Sequence, residues 1–151
     1  CAIGTGGTLS GVGAYLKSKN KDISIGLADP MGANMYSFFK TGELKSEGNS
    51  ITEGIGQGRI TENIKDMSLD IPFRVNDSEA LNILYDLIEE EGLFLGLSSG
   101  INIAGAKKLA KSLGKDKTIV TILCDSANRY QNKMFNAGFL EENNLPIPNW
   151  L

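Results

Sequence analysis

Histidine is absent from this 151-residue sequence. The commonest general base and metal ligand is therefore missing from its chemistry. Cysteine occurs twice, at Cys1 and Cys124, with neither metal-ligand spacing nor a disulfide framework. A reduced, cytoplasmic setting fits that usage. No apolar run approaches the length of a membrane span, and no signal peptide is recognisable. Neither sign of charge dominates: 15 Lys and Arg stand against 18 Asp and Glu, interspersed, for a formal charge of −3. With no basic stripe, nucleic acid is not an expected partner. The remainder is ordinary for a globular protein, at 41% apolar and 22% charged residues. The length suffices for one domain with a real core.

The richest stretch is the first eleven residues, Cys1-Ala2-Ile3-Gly4-Thr5-Gly6-Gly7-Thr8-Leu9-Ser10-Gly11. A short apolar run enters a Gly/Thr-rich turn, and Leu9, Val12, Tyr15 and Leu16 follow at roughly helical spacing. Strand, glycine turn and helix together build an anion site. Glycines let an oxyanion approach the main chain, and the turn's N–H groups and the helix dipole point at it. Thr5 and Thr8 add hydroxyl donors. A nucleotide P-loop would need a Lys after the glycines, and none follows. A dinucleotide fingerprint would need a third glycine where Leu9 stands, although Asp29 falls about where a ribose-binding acid belongs. A nicotinamide-dependent oxidoreductase thus stays open, as does an ordinary tight turn with no ligand.

Along the chain, a helix is expected to about Lys17 and a strand over Ile23–Ala28, stopped by Asp29-Pro30. Met35, Tyr36, Phe38 and Phe39 read as a packed helical turn, and Gly42 to Ser50 as a surface loop. A second glycine cluster, Gly54-Ile55-Gly56, is either a flexible connection or a close approach to a ligand. Ile71–Val75 reads as a strand, with Pro72 placing it at an edge. Asn76 and Glu79 have capping-box spacing ahead of a helix buried through Leu81, Leu84, Tyr85, Leu87 and Ile88. Phe94–Leu97 reads as a strand feeding Ser98-Ser99-Gly100, where plain N-capping is one role for the serines, and the next helix closes at Gly114. Thr118–Leu123 is the clearest strand by composition, β-branched and suited to a parallel sheet covered on both faces. Asp125 and Ser126, just past its end, are either candidates for a ligand wall or a strand-to-helix cap. The fold class is α/β, an open and mostly parallel sheet flanked by helices.

Several of these motifs, in order, resemble one family. They are Gly4-Thr5-Gly6-Gly7-Thr8, Gly54-Ile55-Gly56, Ser98-Ser99-Gly100, the string from Thr121 through Tyr130, and the Leu145-Pro146-Ile147-Pro148-Asn149-Trp150-Leu151 ending. They are similar to the pyridoxal-phosphate enzymes of the tryptophan-synthase-β type (fold type II) and, within them, to the cysteine synthases. The resemblance implies that Gly4, Thr5, Gly6, Gly7 and Thr8 hold the phosphate of pyridoxal 5'-phosphate. It places Ser98 at the pyridine nitrogen and Gly54 on the substrate side. A hydroxyl at the ring nitrogen, in place of a carboxylate, would not keep that nitrogen protonated, which suits β-elimination and β-replacement. The implied reaction joins O-acetylserine and sulfide into cysteine and acetate. The implied partners are a second subunit in a homodimer and the C-terminal tail of serine acetyltransferase.

The family's Schiff-base lysine lies in a Ser-x-Lys-Asp/Glu motif ahead of the glycine turn, as does its Thr/Ser-Gly-Asn-Thr/Ser-Gly substrate loop. Neither motif occurs here, and none of the twelve lysines is assigned a catalytic role. The chain also lacks an initial Met and starts inside an apparent strand. The expectation is residues 1–151 as a single partial cofactor domain, a C-terminal fragment inactive alone, with an apolar edge exposed. A cystathionine β-synthase-like lyase shares the same cup and Ser98 and remains an alternative, as does a non-catalytic binding module.

Overall fold

The two apolar runs flanking the middle of the chain pair with each other. In the computed structural model, which describes residues 1–151, Gly26–Pro30 (β1) and Ile71–Val75 (β2) form a two-stranded parallel sheet. The register runs from Gly26 beside Ile71 to Pro30 beside Val75. β2 lies at an edge, as Pro72 requires, because proline cannot donate to a second neighbour. β1 starts three residues later than the sequence suggests and takes in Asp29 and Pro30. Pro30 is tolerated as the last residue, and Met31 N–H makes the closing bond to the Val75 carbonyl at 3.0 Å.

The helices begin and end where local chemistry dictates. Gly7–Lys19 (α1) starts from Gly6 at φ 87°, a left-handed conformation that suits only glycine. Met35–Thr41 (α2) and Glu62–Lys65 (α3) lie in the crossover between the strands. Asp77–Glu91 (α4) is capped by Asn76, whose side chain accepts from the Glu79 amide, and it ends at left-handed Gly92. Leu97–Leu113 (α5) closes at Gly114. A 3-10 turn at Ala127–Tyr130 leads into Gln131–Met134 (α6) and Ala137–Glu142 (α7).

α5 packs on both strands and on α4, while α2 also touches both strands. Three apolar clusters result. Ile3, Leu9, Ile25, Leu27, Met35 and Ile64 bury α1 and α2 against β1. Val75, Ala80, Ile83, Ile101 and Ala104 join α4 and α5 to the sheet. Leu81, Leu84, Tyr85, Leu97, Met134 and Leu140 seat α6 and α7 on α4. The C-terminal tail packs on the body, with the Trp150 ring edge-on to Tyr85 at 5.6 Å.

Three expected strands do not form as such. Cys1–Ile3 runs beside β1 only at one residue: Cys1 N donates to Gly26 O at 3.0 Å, and Ala28 N donates to Cys1 O at 3.2 Å. Phe94–Leu97 contributes a single antiparallel bridge, Leu95 to Ser126, and Leu97 already belongs to α5. Thr118–Leu123 is not in any sheet. Its composition favours a strand, but no neighbouring strand lies alongside it, and β-branched propensity needs packing on both faces to be realised. Val120 is accordingly 83% exposed, with Ile122 and Leu123 also open to solvent. An apolar hollow of about 540 Å³ separates this run from Ile25, Leu27, Val12 and Leu109.

No helix is long and apolar enough to cross a membrane.

Candidate functional site

The glycine turn is held from outside by its carbonyls, and its amides are left free. Gly56 N donates to Ile3 O at 3.0 Å, and Gln57 Nε2 donates to Gly4 O at 3.1 Å. Thr61 Oγ1 and Asn63 Nδ2 donate to Thr5 O at 2.7 and 3.2 Å. Ala2 N donates to the buried Asn102 Oδ1 at 2.6 Å. The N–H groups of Gly7, Thr8 and Leu9 have no intrahelical acceptor, since the first bond of this kind runs from Ser10 N to Gly6 O at 2.9 Å. These amides stand at the positive end of a 13-residue helix. Two glycines make the cup possible. A Cβ on Gly4 would meet Gly54 O at 2.4 Å, and one on Gly6 would meet Ile64 Cγ1 at 2.6 Å.

Ser98 comes from the first turn of α5. The N-cap of that helix is Gly96, not either serine, because Leu97 already has helical geometry. The capping role is therefore corrected for Ser98 and Ser99. Ser99 Oγ instead accepts the Cys124 amide at 2.9 Å, and the Gly96 amide donates to Asp125 O at 2.8 Å. The Cys124–Asp125 segment is thereby pinned across the start of α5. Ser98 is 6% exposed, and its hydroxyl has no bond within the chain.

All seven residues singled out from the sequence line one cleft of about 550 Å³: Gly4, Thr5, Gly6, Gly7, Thr8, Gly54 and Ser98. Asp125 lines it too, while Ser126 instead caps the 3-10 turn through the Asn128 amide. No lysine lines the cleft. Asp29, the acid a dinucleotide site would use, is fully buried in β1 and does not line the cleft; its Oδ2 accepts the Tyr36 amide at 2.7 Å.

Glu53, Asn102, Arg129 and Tyr130 are among the lining residues that the sequence reading did not assign to the site. Asn102 had a signal, because it lies four residues after Ser98 and so on the same helix face. Arg129 is the one cation on the wall, donating to Asp125 Oδ2 at 3.3 Å. Tyr130 OH donates to the same oxygen at 2.8 Å. Burial, reinforced by Asp125, pushes the Tyr130 phenol up to about 12, so it remains a donor at neutral pH.

This donor set suits a phosphorylated pyridine. Free amides, a helix N-terminus and two threonine hydroxyls match a phosphate without a cation. A free hydroxyl at Ser98 matches a ring nitrogen, and the volume is that of a cofactor site.

Comparison with known proteins agrees with that donor set. A family model described as pyridoxal-phosphate dependent enzyme matches residues 1–125. Cysteine synthase 1 of Neurospora crassa is 45% identical over 150 residues, covering 96% of this chain and 40% of the relative. The cysteine synthase of Dictyostelium discoideum is 40% identical, covering 97% of this chain and 41% of the relative. The crystal structure of the O-acetylserine dependent cystathionine beta-synthase from Helicobacter pylori superposes with a TM-score of 0.76 at 30% identity, over 87% of this chain and 41% of that one. The chain thus spans about 40% of the length of the curated relatives it matches. With its free-amide cup and the Ser98 hydroxyl in one cleft, the chain belongs to the pyridoxal-phosphate dependent enzyme family.

Proposed function

We propose that the protein carrying this chain is a cysteine synthase, making L-cysteine and acetate from O-acetylserine and sulfide with pyridoxal phosphate. One observation carries the reading: the unpartnered amides of Gly7 to Leu9 and the unpartnered hydroxyl of Ser98 line the same cleft. The relatives named above support the substrate pair.

Each residue then has a defined task. The amides after Gly6, with the Thr5 and Thr8 hydroxyls, bind the phosphate. The Gly54 loop closes over the substrate side, its carbonyl against Gly4. Ser98 orients the ring through its nitrogen. When bound, the cofactor supplies an electron sink for the substrate's α-carbon. The Ser98 hydroxyl leaves that nitrogen's charge unforced, and the tyrosine and carboxylate at Tyr130 and Asp125 wall off the same side from water. The phosphate cup, the ring contact and the substrate-side loop all come from residues 1–151, which act as one cofactor-binding unit. The chain has no Ser-x-Lys-Asp/Glu motif and no lysine on the cleft wall, so these residues by themselves lack synthase activity. A homodimer in the cytoplasm, able to take the tail of serine acetyltransferase into the cleft, completes the proposal.

The test uses the complete gene product. It should purify yellow and form cysteine from O-acetylserine and sulfide. A colourless protein that binds a nicotinamide cofactor would replace this reading with an oxidoreductase.

A further inference from the structure

Asp125 is knotted to the first turn of α5, and half of its carboxylate has no partner there. The Gly96 amide donates to Asp125 O at 2.8 Å, and Ser99 Oγ accepts the neighbouring Cys124 amide at 2.9 Å. Gly96 must be glycine for the acid to fit. A Cβ at that position would stand 2.2 Å from Asp125 Oδ1 and 2.7 Å from Tyr130 Cε2. Asp125 and Tyr130 therefore pack on the residue two places before Ser98, and all three line the cleft. Asp125 Oδ2 is occupied, taking the Tyr130 hydroxyl at 2.8 Å and Arg129 at 3.3 Å. Asp125 Oδ1 is closed off from solvent and accepts nothing.

A shut-in carboxylate oxygen without a donor is costly. Its counterpart is on the same turn of helix. The Ser98 hydroxyl is a donor without an acceptor, on a residue only 6% exposed. A hydroxyl has one proton to give and lone pairs to receive with. With its proton aimed at a carboxylate, its oxygen faces the ring as an acceptor. The other charges on this wall do not cancel Asp125. Arg129 is 69% exposed, so water screens it. Glu53 carries the same sign as Asp125 and is engaged by Lys133.

We propose that Asp125 sets the protonation of the cofactor's ring nitrogen through Ser98: Asp125 Oδ1 accepts from the Ser98 hydroxyl, whose oxygen accepts from an N–H on the ring. The proposal rests on the cofactor reading given above. Ser98 by itself leaves the nitrogen's charge unforced. A carboxylate behind it favours the protonated form, because an opposite charge close by in a site shielded from water stabilises the cation. Asp125 touches neither substrate nor ring in this scheme, so it is a positioning residue. It makes the ring a stronger electron sink than a lone hydroxyl would.

The experiment loads the complete protein with pyridoxal phosphate isotopically labelled at the ring nitrogen and reads that nitrogen by NMR at neutral pH. The native protein should show the protonated nitrogen. Asp125→Asn keeps the size of the side chain and an oxygen for Tyr130, yet it should lose the protonated signal. Ser98→Ala, which breaks the relay, should lose it too. Tyr130→Phe leaves the carboxylate in place and should keep it. An unprotonated nitrogen in the native protein overturns the proposal, and so does a protonated one in Ser98→Ala. If Asp125→Asn binds the cofactor and its nitrogen stays protonated, the acid only fastens the start of α5, and the proposal fails. A native protein that takes up no cofactor would instead overturn the cofactor reading, and this proposal with it.

Discussion

Asn102 Oδ1 accepts the Ala2 amide proton at 2.6 Å, which fastens the segment entering the glycine turn to the helix that carries Ser98. The same side chain donates through Nδ2 to Ile122 O at 2.7 Å and lies 3.6 Å from Cys124 Sγ. It is 1% exposed, so water cannot replace these partners. The Gly4–Thr8 end and the Ser98 end of the cleft are therefore kept at a fixed distance by one buried amide. Asn102→Ala strands the Ala2 N–H and the Ile122 carbonyl, and each buried orphan costs about 1–3 kcal/mol. A loss of about 2 kcal/mol or more should appear in urea unfolding of the chain. Asn102→Asp should lose at least as much, because it keeps the acceptor for Ala2 but turns a buried carboxylate oxygen toward the Ile122 carbonyl. Equal stability of all three proteins would mean that the bridge does not form.

Binding and turnover should separate between the two ends of the cleft. Gly6→Val puts a β-branched residue at φ 87° and drives a Cβ to 2.6 Å from Ile64 Cγ1. The left-handed backbone alone costs about 1–2 kcal/mol for a residue with a Cβ. Cofactor retention by the complete protein should fall sharply. Ser98→Ala removes only a hydroxyl, and it should lower turnover more than retention. Retention is read from visible absorbance after dialysis and turnover from acetate release. Unchanged turnover in Ser98→Ala would remove that residue from the site.

How much of this was legible in the sequence depends on whether a feature is local. The Asn76–Glu79 cap, the Gly114 stop and the span of β2 follow from short-range chemistry, and they appear where the residues place them. The glycine turn was legible for the same reason, as a short motif with a mechanism, whereas Ser98 was singled out through the family resemblance; the fold brings both to one cleft. Thr118–Leu123 was not, because composition reports the propensity of a segment and not whether a partner strand adjoins it. Arg129 and Glu53 lie 76 positions apart and reach one cleft only through the fold, so no spacing rule could place them there together. The glycines inside α5 were also silent. Their reason lies on the opposing strand and helix, at Ala28 for Gly105 and at Ala80 and Leu84 for Gly100.

That silent packing role is open to test. A Cβ on Gly105 would stand 2.4 Å from Ala28 Cβ and 3.3 Å from Ala28 Cα, where α5 crosses β1. Backbone cannot move aside as a side chain can. Gly105→Val should destabilise by about 1–3 kcal/mol or more through overpacking. Gly11, inside α1, has nothing within 4 Å of its Cβ position. Gly11→Ala should instead stabilise by about 0.5–1 kcal/mol, because alanine is the better helix former. Chemical unfolding of both variants checks the pair. A neutral Gly105→Val would show that α5 does not rest on β1 as closely as described.

Asp29 provides a pH dependence whose sign is fixed. It lies beside Arg74 across the β1–β2 ladder, fully buried, with Oδ1 lacking any partner. Burial raises its pKa from 3.8 to about 6, against the opposing pull of the Tyr36 amide, the Arg74 charge and the Met35 amide. An acid raised on folding binds its proton more tightly in the folded chain. As pH climbs from about 4 to 6, the unfolded chain has released that proton and the folded chain still holds it. Stability therefore falls through this window and is flat on either side, as far as Asp29 is concerned. Two pKa units correspond to about 3 kcal/mol. Asp29→Asn keeps an oxygen for the Tyr36 amide and cannot ionise. It should exceed the native chain in stability by up to about 3 kcal/mol above pH 6, and the gap should close as the pH falls toward 4. Urea midpoints measured at a series of pH values read this directly. A gap that stays constant with pH would show that folding does not raise this pKa, the Arg74 charge and the two amides offsetting burial in full.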